Sequence, residues 1–208
     1  VYAVTDAPLG DTQSLWQRVI DGSFNAIIVD GDTSTNDTAL LLSSDSGPLD
    51  EEGAKRVEAA LLACCRATAQ QVVADGEGAR CVVTLTVSGA ATNEDADRAA
   101  RAVATSPLCK TAFHGADPNW GRIVAAAGRS GARLNPTTTT LTVTGESGSV
   151  RLYEAGVPTD FDTKIAEQIM ATDRFSFQLN LGAGSGEATV WTCDLGHNYV
   201  TLNAEYTT

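Results

Sequence analysis

The sequence has few of the residues that build metal sites and disulfide frameworks. Its two histidines are His114 and His197, and its five cysteines show no CxxC spacing. A zinc site or a disulfide framework needs a denser arrangement of these residues. We therefore predict no metal and interpret the cysteines as small buried hydrophobes in a reducing compartment, which indicates the cytoplasm.

Long apolar runs and excess positive charge are also missing. No run approaches the roughly 20 apolar residues that span a bilayer, so no membrane partner is predicted. The formal net charge is -12, with 14 Lys and Arg against 26 Asp and Glu. A phosphate-binding surface needs clustered basic residues, so no nucleic-acid partner is predicted. Residues 1–6 have the pattern of a β-strand from the first residue, and Val1 is not an initiator Met. We therefore expect that an upstream segment has been removed.

The sequence lacks the complete motifs of serine-nucleophile and nucleotide-binding enzymes. There is no GxSxG elbow for a Ser-His-Asp triad. Either histidine could serve as an acid or base, but an ordinary structural role is the better interpretation. The glycines at 182–186 stand between two strand patterns, whereas a phosphate cradle needs a helix after the glycines. This stretch is therefore predicted to be a β-turn.

Helical spacing and capping signals predict several helices. The longest begins after Asp50, a plausible N-cap, and Thr92 opens another with capping-box spacing. Asp117 is the predicted cap of a helix that begins around Pro118. The predicted ranges are 12–21, about 51–74, 92–103, about 118–127 and 161–171. In the longest helix the predicted apolar face is Val57, Leu61, Cys64, Thr68 and Val72.

Short β-branched or apolar runs predict the strands. Residues 26–29 and 39–42 are predicted as buried strands, and 82–87 and 141–143 as further strands. The alternating stretch 175–181 is predicted to form a hairpin with 188–193 across the glycine-rich turn. Because helices and strands alternate irregularly, we predict an α+β fold of mixed α/β layers instead of a doubly wound parallel sheet.

Five ordered motifs give the chain a resemblance to the ornithine acetyltransferase family, the bifunctional glutamate N-acetyltransferases. They run in family order along essentially all 208 residues, and the ordered set is far more specific than any one motif. The motifs are the Ser23–Asn25 and Val29–Thr38 stretches, Asp75–Ala79, Ser106–Phe113, Asp117–Ile123 and Asn203–Tyr206.

The resemblance implies the αββα sandwich of N-terminal-nucleophile-like enzymes, as in the DmpA and ornithine acetyltransferase families. Residues 1–105 are then expected to belong to a catalytic core shared with an α chain. Residues 106–208 are expected to form a second α/β lobe that ends in a substrate-binding tail. The implied assembly is an α2β2 heterotetramer in which both chains come from one precursor.

The implied activity is transfer of an acetyl group from N2-acetylornithine to glutamate by a ping-pong mechanism. Such a precursor cuts itself before a threonine, which becomes the first residue of the β chain and the nucleophile. The α-amino group of that threonine can serve as its general base. Alignment on Thr5-Asp6-Ala7 places this threonine three positions before Val1, outside the supplied chain. No cofactor is implied, although acetyl-CoA is a possible alternative donor.

Three residues match the substrate contacts of the family. Glu77 lies between two glycines and could pair with a substrate ammonium, although alone it would be taken for an exposed loop acid. Asn203 and Thr208 keep the spacing of five residues found in the family, where an amide and a hydroxyl suit recognition of an amino acid. Without the resemblance, both would be taken for a frayed polar tail.

Two alternatives remain open at this point. An N-terminal-nucleophile aminopeptidase has a similar fold but would give the acyl group to water. A non-catalytic paralogue would lack the nucleophile. The sequence does not separate primary arginine synthesis from specialised metabolism, and it does not fix the oligomeric state.

Overall fold

A computed structural model describes residues 2–5, 11–44 and 49–205 of the chain. The chain forms two compact units. Unit 1 comprises residues 1–27 and 32–71, and unit 2 comprises residues 28–31 and 72–208. The predicted division between 105 and 106 concerns a core shared with an α chain and stays a prediction. Within this chain, both of those residues belong to unit 2.

Unit 1 is built on two helices and a small parallel sheet. The core of unit 1 contains Leu15, Val19 and Cys65, and a salt bridge of 2.7 Å joins Arg18 to Glu58. The elements are β1 (Tyr2–Thr5), α1 (Thr12–Asp21), β3 (Leu40–Ser43), which pairs with β1, and α2 (Glu51–Ala74), whose last three residues belong to unit 2. Between α1 and β3 lie a 3-10 turn (Phe24–Ala26) and β2 (Ile27–Ile28). The predicted bounds of α1 and α2 are confirmed, and Asp50 accepts a hydrogen bond of 2.7 Å from the Gly53 N–H.

The predicted burial of β3 was wrong. Leu40 is 42% exposed and Leu42 is 55% exposed. In the described part of unit 1, β3 pairs with β1 alone, and a two-stranded sheet has little capacity to cover both of its faces.

The predicted apolar face of α2 is confirmed in its first half, where Val57 and Leu61 pack against the core of unit 1, and was wrong by one residue in its second half. Cys65, Ala69 and Val73 are buried, whereas Cys64 is exposed and Val72 is 44% exposed. The helix is rich in small and apolar residues, so two neighbouring stripes both satisfy helical spacing. Periodicity alone therefore does not decide which stripe is buried.

Unit 2 contains most of one seven-stranded mixed sheet and the remaining helices described. The order of the strands is β2-β9-β4-β8-β5-β6-β7. The elements are β4 (Val82–Ala90), α3 (Asn93–Ala104), α4 (Pro107–His114), α5 (Trp120–Gly128), β5 (Thr140–Gly145), β6 (Gly148–Glu154), β7 (Val157–Pro158), α6 (Thr163–Met170), β8 (Arg174–Asn180), β9 (Gly186–Cys193) and α7 (His197–Glu205). The predicted mixed α+β architecture is confirmed.

One face of this sheet forms the main core. Leu85 and Val87 of β4 lie beside Phe177 and Leu179 of β8 and pack against helices α3 and α5. The ring of Phe113 from α4 lies 5.6 Å from that of Phe177. Alternation along the strands directs every second side chain to this face, which explains why the stretch from Phe175 to Leu181 alternates so regularly.

The opposite face of the sheet is rich in hydroxyl and amide groups. Thr84 pairs in register with Ser176, and Thr86 with Gln178, and Thr142 continues the row on β5. These side chains are exposed or half-buried. The sheet therefore has one apolar face covered by helices and one polar face.

The predicted hairpin between β8 and β9 was wrong, because β4 lies between these two strands. β8 runs parallel to β4 and β9 runs antiparallel to it. The glycine-rich segment crosses the end of β4, and a Cβ at Gly184 would stand 2.5 Å from the Ala90 carbonyl oxygen. The glycines permit this close backbone crossing.

Two helical starts differ from the sequence-based expectation. Asn119, not Asp117, caps α5 by accepting a 3.2 Å bond from the Arg122 N–H, and Pro118 precedes the helix. Helix α4 was not predicted, although Ser106 and Pro107 stand at its cap and first position. By contrast, Thr92 caps α3 as predicted, with a 3.2 Å bond from the Asp95 N–H.

None of the helices in the described ranges combines the length and hydrophobicity needed to cross a bilayer.

Candidate functional site

Two residues that the sequence places far apart meet in unit 2. The Asn203 Nδ2 atom donates to Glu77 Oε2 at 2.5 Å, and the two residues are 126 positions apart. Glu77 lies in the turn after α2, and Asn203 lies on α7. Both side chains are exposed, so a carboxylate and an amide lie side by side where a ligand can reach them.

The turn at Glu77 lies directly against α7 because of Gly78. The φ of Gly78 is +70°, and a Cβ there would stand 2.7 Å from both Asn198 Cβ and the Tyr199 nitrogen. No other residue fits this backbone conformation and this space without a shift. A hydrogen bond of 3.1 Å from the Tyr199 hydroxyl to Asp30 Oδ2 further ties α7 to unit 2.

The orientation of the Asn203 amide follows from its partners. Its Nδ2 atom donates to Glu77 and, at 3.0 Å, to the Tyr199 carbonyl oxygen of the preceding turn. A carboxylate and a carbonyl are acceptors only, so the nitrogen must face them. Both Nδ2 hydrogens are thereby used, and Oδ1 is the atom of Asn203 that would accept a hydrogen bond from a ligand.

The backbone that follows the Glu77 turn is bound by a buried carboxylate, that of Asp194. Its side chain is fully buried, and it accepts hydrogen bonds from the Arg80 N–H at 2.7 Å, the Cys81 N–H at 2.9 Å and His114 Nδ1 at 2.7 Å. Burial acts to raise the pKa of Asp194, but the bonds from His114, Cys81 and Arg80 together lower it below the usual value. The carboxylate is therefore ionised at neutral pH.

The Arg80 side chain binds the C-terminal ends of helices α4 and α6. Its guanidinium donates to the carbonyl oxygens of Phe113 at 2.7 Å and His114 at 3.2 Å, at the end of α4. It also donates to the carbonyl oxygen of Met170 at 3.1 Å, at the end of α6. Carbonyl groups at a helix C-terminus lack partners within the helix and carry partial negative charge, so the cation of Arg80 satisfies them.

Lys110, on α4, is a buried cationic side chain with 3% of its surface exposed, whereas Arg80 is half-buried. Its Nζ atom donates to Thr192 Oγ1 at 3.0 Å and to the Cys193 carbonyl oxygen. Burial lowers the pKa of Lys110, which Cys193 and the nearby carboxylates only partly offset. Lys110 thus binds the end of β9, next to Asp194.

The buried cysteine thiols do not have the properties of nucleophiles. All five cysteines are free, and Cys64 alone is exposed. Burial, reinforced by Asp194, raises the pKa of Cys81 to about 12. Burial likewise raises the pKa of Cys109 and Cys193. A thiol attacks as the thiolate, so the four buried cysteines act as small core residues, as the sequence predicted. The predicted burial of Cys64 was wrong, because its side chain is exposed on α2.

The structure brings together two of the predicted site residues. Glu77 and Asn203 are in contact, whereas Thr208 lies outside the described residues. The nucleophile that the resemblance implies, three positions before Val1, stays a prediction because that position is outside the given sequence. Sequence reasoning did not identify the buried side chains of Asp194 and Lys110 as part of the candidate site. A single acid after a strand carries no local signal of its role.

A separate cleft of about 310 Å³ lies where α5 and α6 begin. Its lining includes Trp120 and Phe161, and Trp120 stacks on Tyr153 with ring centroids 5.3 Å apart. Neither Glu77 nor Asn203 lines this cleft, so the candidate substrate residues belong to a different place on unit 2.

Comparison with known proteins gives a consistent result along the whole chain. The ArgJ family model matches residues 1–208. The arginine biosynthesis bifunctional protein ArgJ of Chlorobaculum tepidum is 46% identical over 187 residues, which cover 88% of this chain and 45% of that protein. The glutamate N-acetyltransferase of Methanocaldococcus jannaschii is 46% identical over 215 residues, which cover 100% of this chain and 53% of that protein.

A solved structure agrees with these sequence matches. The crystal structure of the arginine biosynthesis bifunctional protein ArgJ from Bacillus halodurans superposes with a TM-score of 0.89 at 33% identity. The match covers 99% of this chain and 98% of that one. The chain spans about half the length of the curated relatives it matches.

Proposed function

The chain belongs to the ArgJ family, and we propose that it is the β half of an acetyltransferase that moves an acetyl group from N2-acetylornithine to glutamate. The names of the relatives support acetyl transfer to glutamate within arginine biosynthesis. The observation that carries the proposal onto this chain is the contact between Glu77 and Asn203. Two residues matched independently to substrate contacts of the family adjoin in space.

In the proposed site these two residues recognise a substrate ammonium. The Glu77 carboxylate supplies the negative charge, and Asn203 Oδ1 supplies a neutral acceptor beside it. Such charge-assisted hydrogen bonds are about twice as strong as neutral ones. Thr208, the third predicted contact, would add a hydroxyl.

The proposed reaction passes through an acetyl-threonine. The threonine hydroxyl attacks the acetyl carbonyl of N2-acetylornithine, and its own α-amino group takes up the hydroxyl proton. The amide C–N bond breaks, the ornithine nitrogen receives a proton, and the acetyl group remains on threonine as an ester. The amine of glutamate then attacks that ester, the bond between the threonine oxygen and the acetyl carbon breaks, and the proton lost by the amine passes to the threonine oxygen, which leaves N-acetylglutamate and the free threonine. Donor and acceptor use one site in turn, which gives ping-pong kinetics.

The proposed partner is an α chain cut from the same precursor, in an α2β2 assembly. The length of the relatives, about twice that of this chain, supports a second half. The polar face of the sheet, with Thr84, Thr86 and Thr142, gives such a chain a surface to cover. A reducing compartment such as the cytoplasm is proposed because the cysteines are free.

Intact mass spectrometry of the full-length product tests the proposal. After incubation with N-acetylornithine, we expect a β chain that begins with threonine and carries the added mass of one acetyl group. Acetyl-CoA in place of N-acetylornithine tests the alternative donor in the same experiment. A chain without an N-terminal threonine, or one that never becomes acetylated, would contradict the mechanism and favour a non-catalytic paralogue.

A further inference from the structure

Helix α4 carries one of the family motifs, Ser106–Phe113, for which the proposed reaction has no role. Lys110 in this motif and His114 at the end of the helix are four residues apart, so they lie on one face. Both side chains reach the segment that runs from the end of β9 into α7. This face of α4 is therefore a candidate support for the helix that carries Asn203.

The contacts of Lys110 fix the first part of that segment. Its Nζ atom holds Thr192 and Cys193, and its carbonyl oxygen accepts a 3.1 Å bond from the Leu195 N–H. Lys110 thus binds both sides of Asp194: its ammonium group binds residues 192 and 193, and its carbonyl oxygen binds residue 195. The backbone of residues 192–195 is anchored to α4 before α7 begins.

The contacts of His114 fix the last part of that segment, from Asp194 to Gly196. Its Nδ1 atom binds Asp194 at 2.7 Å, and its ring lies so close to Gly196 that a Cβ there would stand 2.6 Å from Nδ1. Because the Asp194 carboxylate is an acceptor only, Nδ1 is the nitrogen that carries the hydrogen. The ring therefore packs on the backbone immediately before His197, the first residue of α7.

Asp194 connects this support to Glu77. The Oδ1 atom of Asp194 accepts from the Arg80 and Cys81 N–H groups, three and four residues after Glu77. Asn203 follows His197 by six residues, or about 9 Å along a helix. One buried carboxylate thus joins the turn that bears Glu77 to the start of the helix that bears Asn203.

We infer that His114 and Asp194 are positioning residues, which hold Glu77 and Asn203 at the spacing that binds the substrate. Neither residue needs to touch the substrate for this role, because both act on the backbone. Asp194 binds the residues that follow Glu77, and His114 packs on Gly196, just before the helix that carries Asn203. The inference rests on the proposed function, since it assigns the substrate to the site of Glu77 and Asn203.

Two substitutions of His114 separate positioning from acid–base chemistry in the full-length, self-cleaved protein. The amide nitrogen of asparagine takes the place of Nδ1, so His114→Asn keeps the bond to Asp194 and loses Nε2. The amide nitrogen of glutamine takes the place of Nε2, so His114→Gln loses the bond. The His114 side chain is 38% exposed, so both amides can be accommodated. KM and kcat would be measured for N-acetylornithine and glutamate, together with hydrogen exchange of the α7 amides.

We expect His114→Gln to raise KM for both substrates about tenfold, the scale of one net hydrogen bond, with kcat changed less than about threefold. Its α7 amides should exchange faster, because the start of the helix loses an anchor. His114→Asn should resemble the wild type in both measurements. In an Asn203→Ala background, His114→Gln should add little to KM, because the two changes act on one contact.

Two results would overturn the inference. If His114→Asn lowers kcat as much as His114→Gln does, Nε2 takes part in the chemistry. If His114→Gln lowers only the thermal midpoint and leaves KM and α7 exchange unchanged, the histidine is merely structural. A wild-type protein that transfers no acetyl group would instead refute the proposed function, and the exchange measurement would still test the support of α7.

Discussion

Unit 2 holds two polar clusters that differ in their access to water. Glu77 and Asn203 form an exposed pair, whereas Asp194 is fully buried and bound by Arg80, Cys81 and His114. A buried charge costs several kcal/mol, on the order of a whole domain's stability, unless it is fully bonded. The buried cluster must therefore be rigid and complete, and the exposed pair can exchange water for a ligand. The difference separates a part that fixes geometry from a part that binds.

Asp194→Ala tests the buried cluster and should have the largest effect on stability. It leaves the Arg80 and Cys81 N–H groups and His114 Nδ1 without their acceptor. We expect the free energy of unfolding to fall by about 3–5 kcal/mol, because each buried donor left without an acceptor costs about 1–3 kcal/mol. Urea denaturation of the wild type and the variant measures it. A loss below about 1 kcal/mol would remove the contrast between the two clusters.

The pH dependence of stability provides a second test of Asp194. Its pKa in the folded protein is lowered from 3.8, so between the folded and unfolded pKa values the unfolded chain binds more protons. Its contribution is therefore complete above the unfolded pKa and is lost as pH falls through the folded pKa. Asp194→Asn mimics the protonated form. The stability difference between wild type and Asp194→Asn should be constant near neutral pH and shrink in acid, and a difference that grows in acid would contradict this.

Gly78→Ala tests the contact between the Glu77 turn and α7, with Gly131→Ala as its control. Both glycines have positive φ, +70° and +81°, but a Cβ at Gly131 would meet nothing within 4 Å. Gly131→Ala should cost about 1–2 kcal/mol from backbone strain alone. Gly78→Ala should cost at least about 1 kcal/mol more, because Asn198 and Tyr199 must move. Equal losses in urea denaturation would mean that α7 does not lie against this turn.

Glu77→Ala should have the smallest effect on stability. Glu77 is exposed, and its contact to Asn203 lies at the surface. We expect a change within about 0.5 kcal/mol, as for other surface substitutions. Glu146→Ala, at another exposed acid, is the matched control. A loss for Glu77→Ala well above that of Glu146→Ala would show that the pair belongs to the structural cluster.

The sequence was a good guide wherever local signals decide the structure. Asp50 and Thr92 begin their helices as predicted because a capping side chain acts within three residues. It was a poor guide where neighbours far along the chain decide. Insertion of β4 between β8 and β9 depends on pairings that no local pattern encodes, and the buried stripe of α2 depends on what covers the helix.

The same distinction holds for the candidate site. Glu77 and Asn203 were identified through the family resemblance, and the structure then placed them in contact. Asp194 was missed because its role comes from Arg80 and His114, 114 and 80 residues away. Burial and bonding of a lone aspartate cannot be read from its sequence neighbours.

The central proposal is that this chain carries the substrate site of an acetyltransferase, and isotope transfer tests it most directly. The full-length protein would be given N-acetylornithine with a labelled acetyl group together with glutamate, for the wild type, Glu77→Ala and Glu146→Ala. We predict labelled N-acetylglutamate from the wild type and Glu146→Ala, and a rate at limiting substrate lower by about tenfold or more for Glu77→Ala. Label released as free acetate by the wild type, or equal rates for Glu77→Ala and Glu146→Ala, would contradict the account.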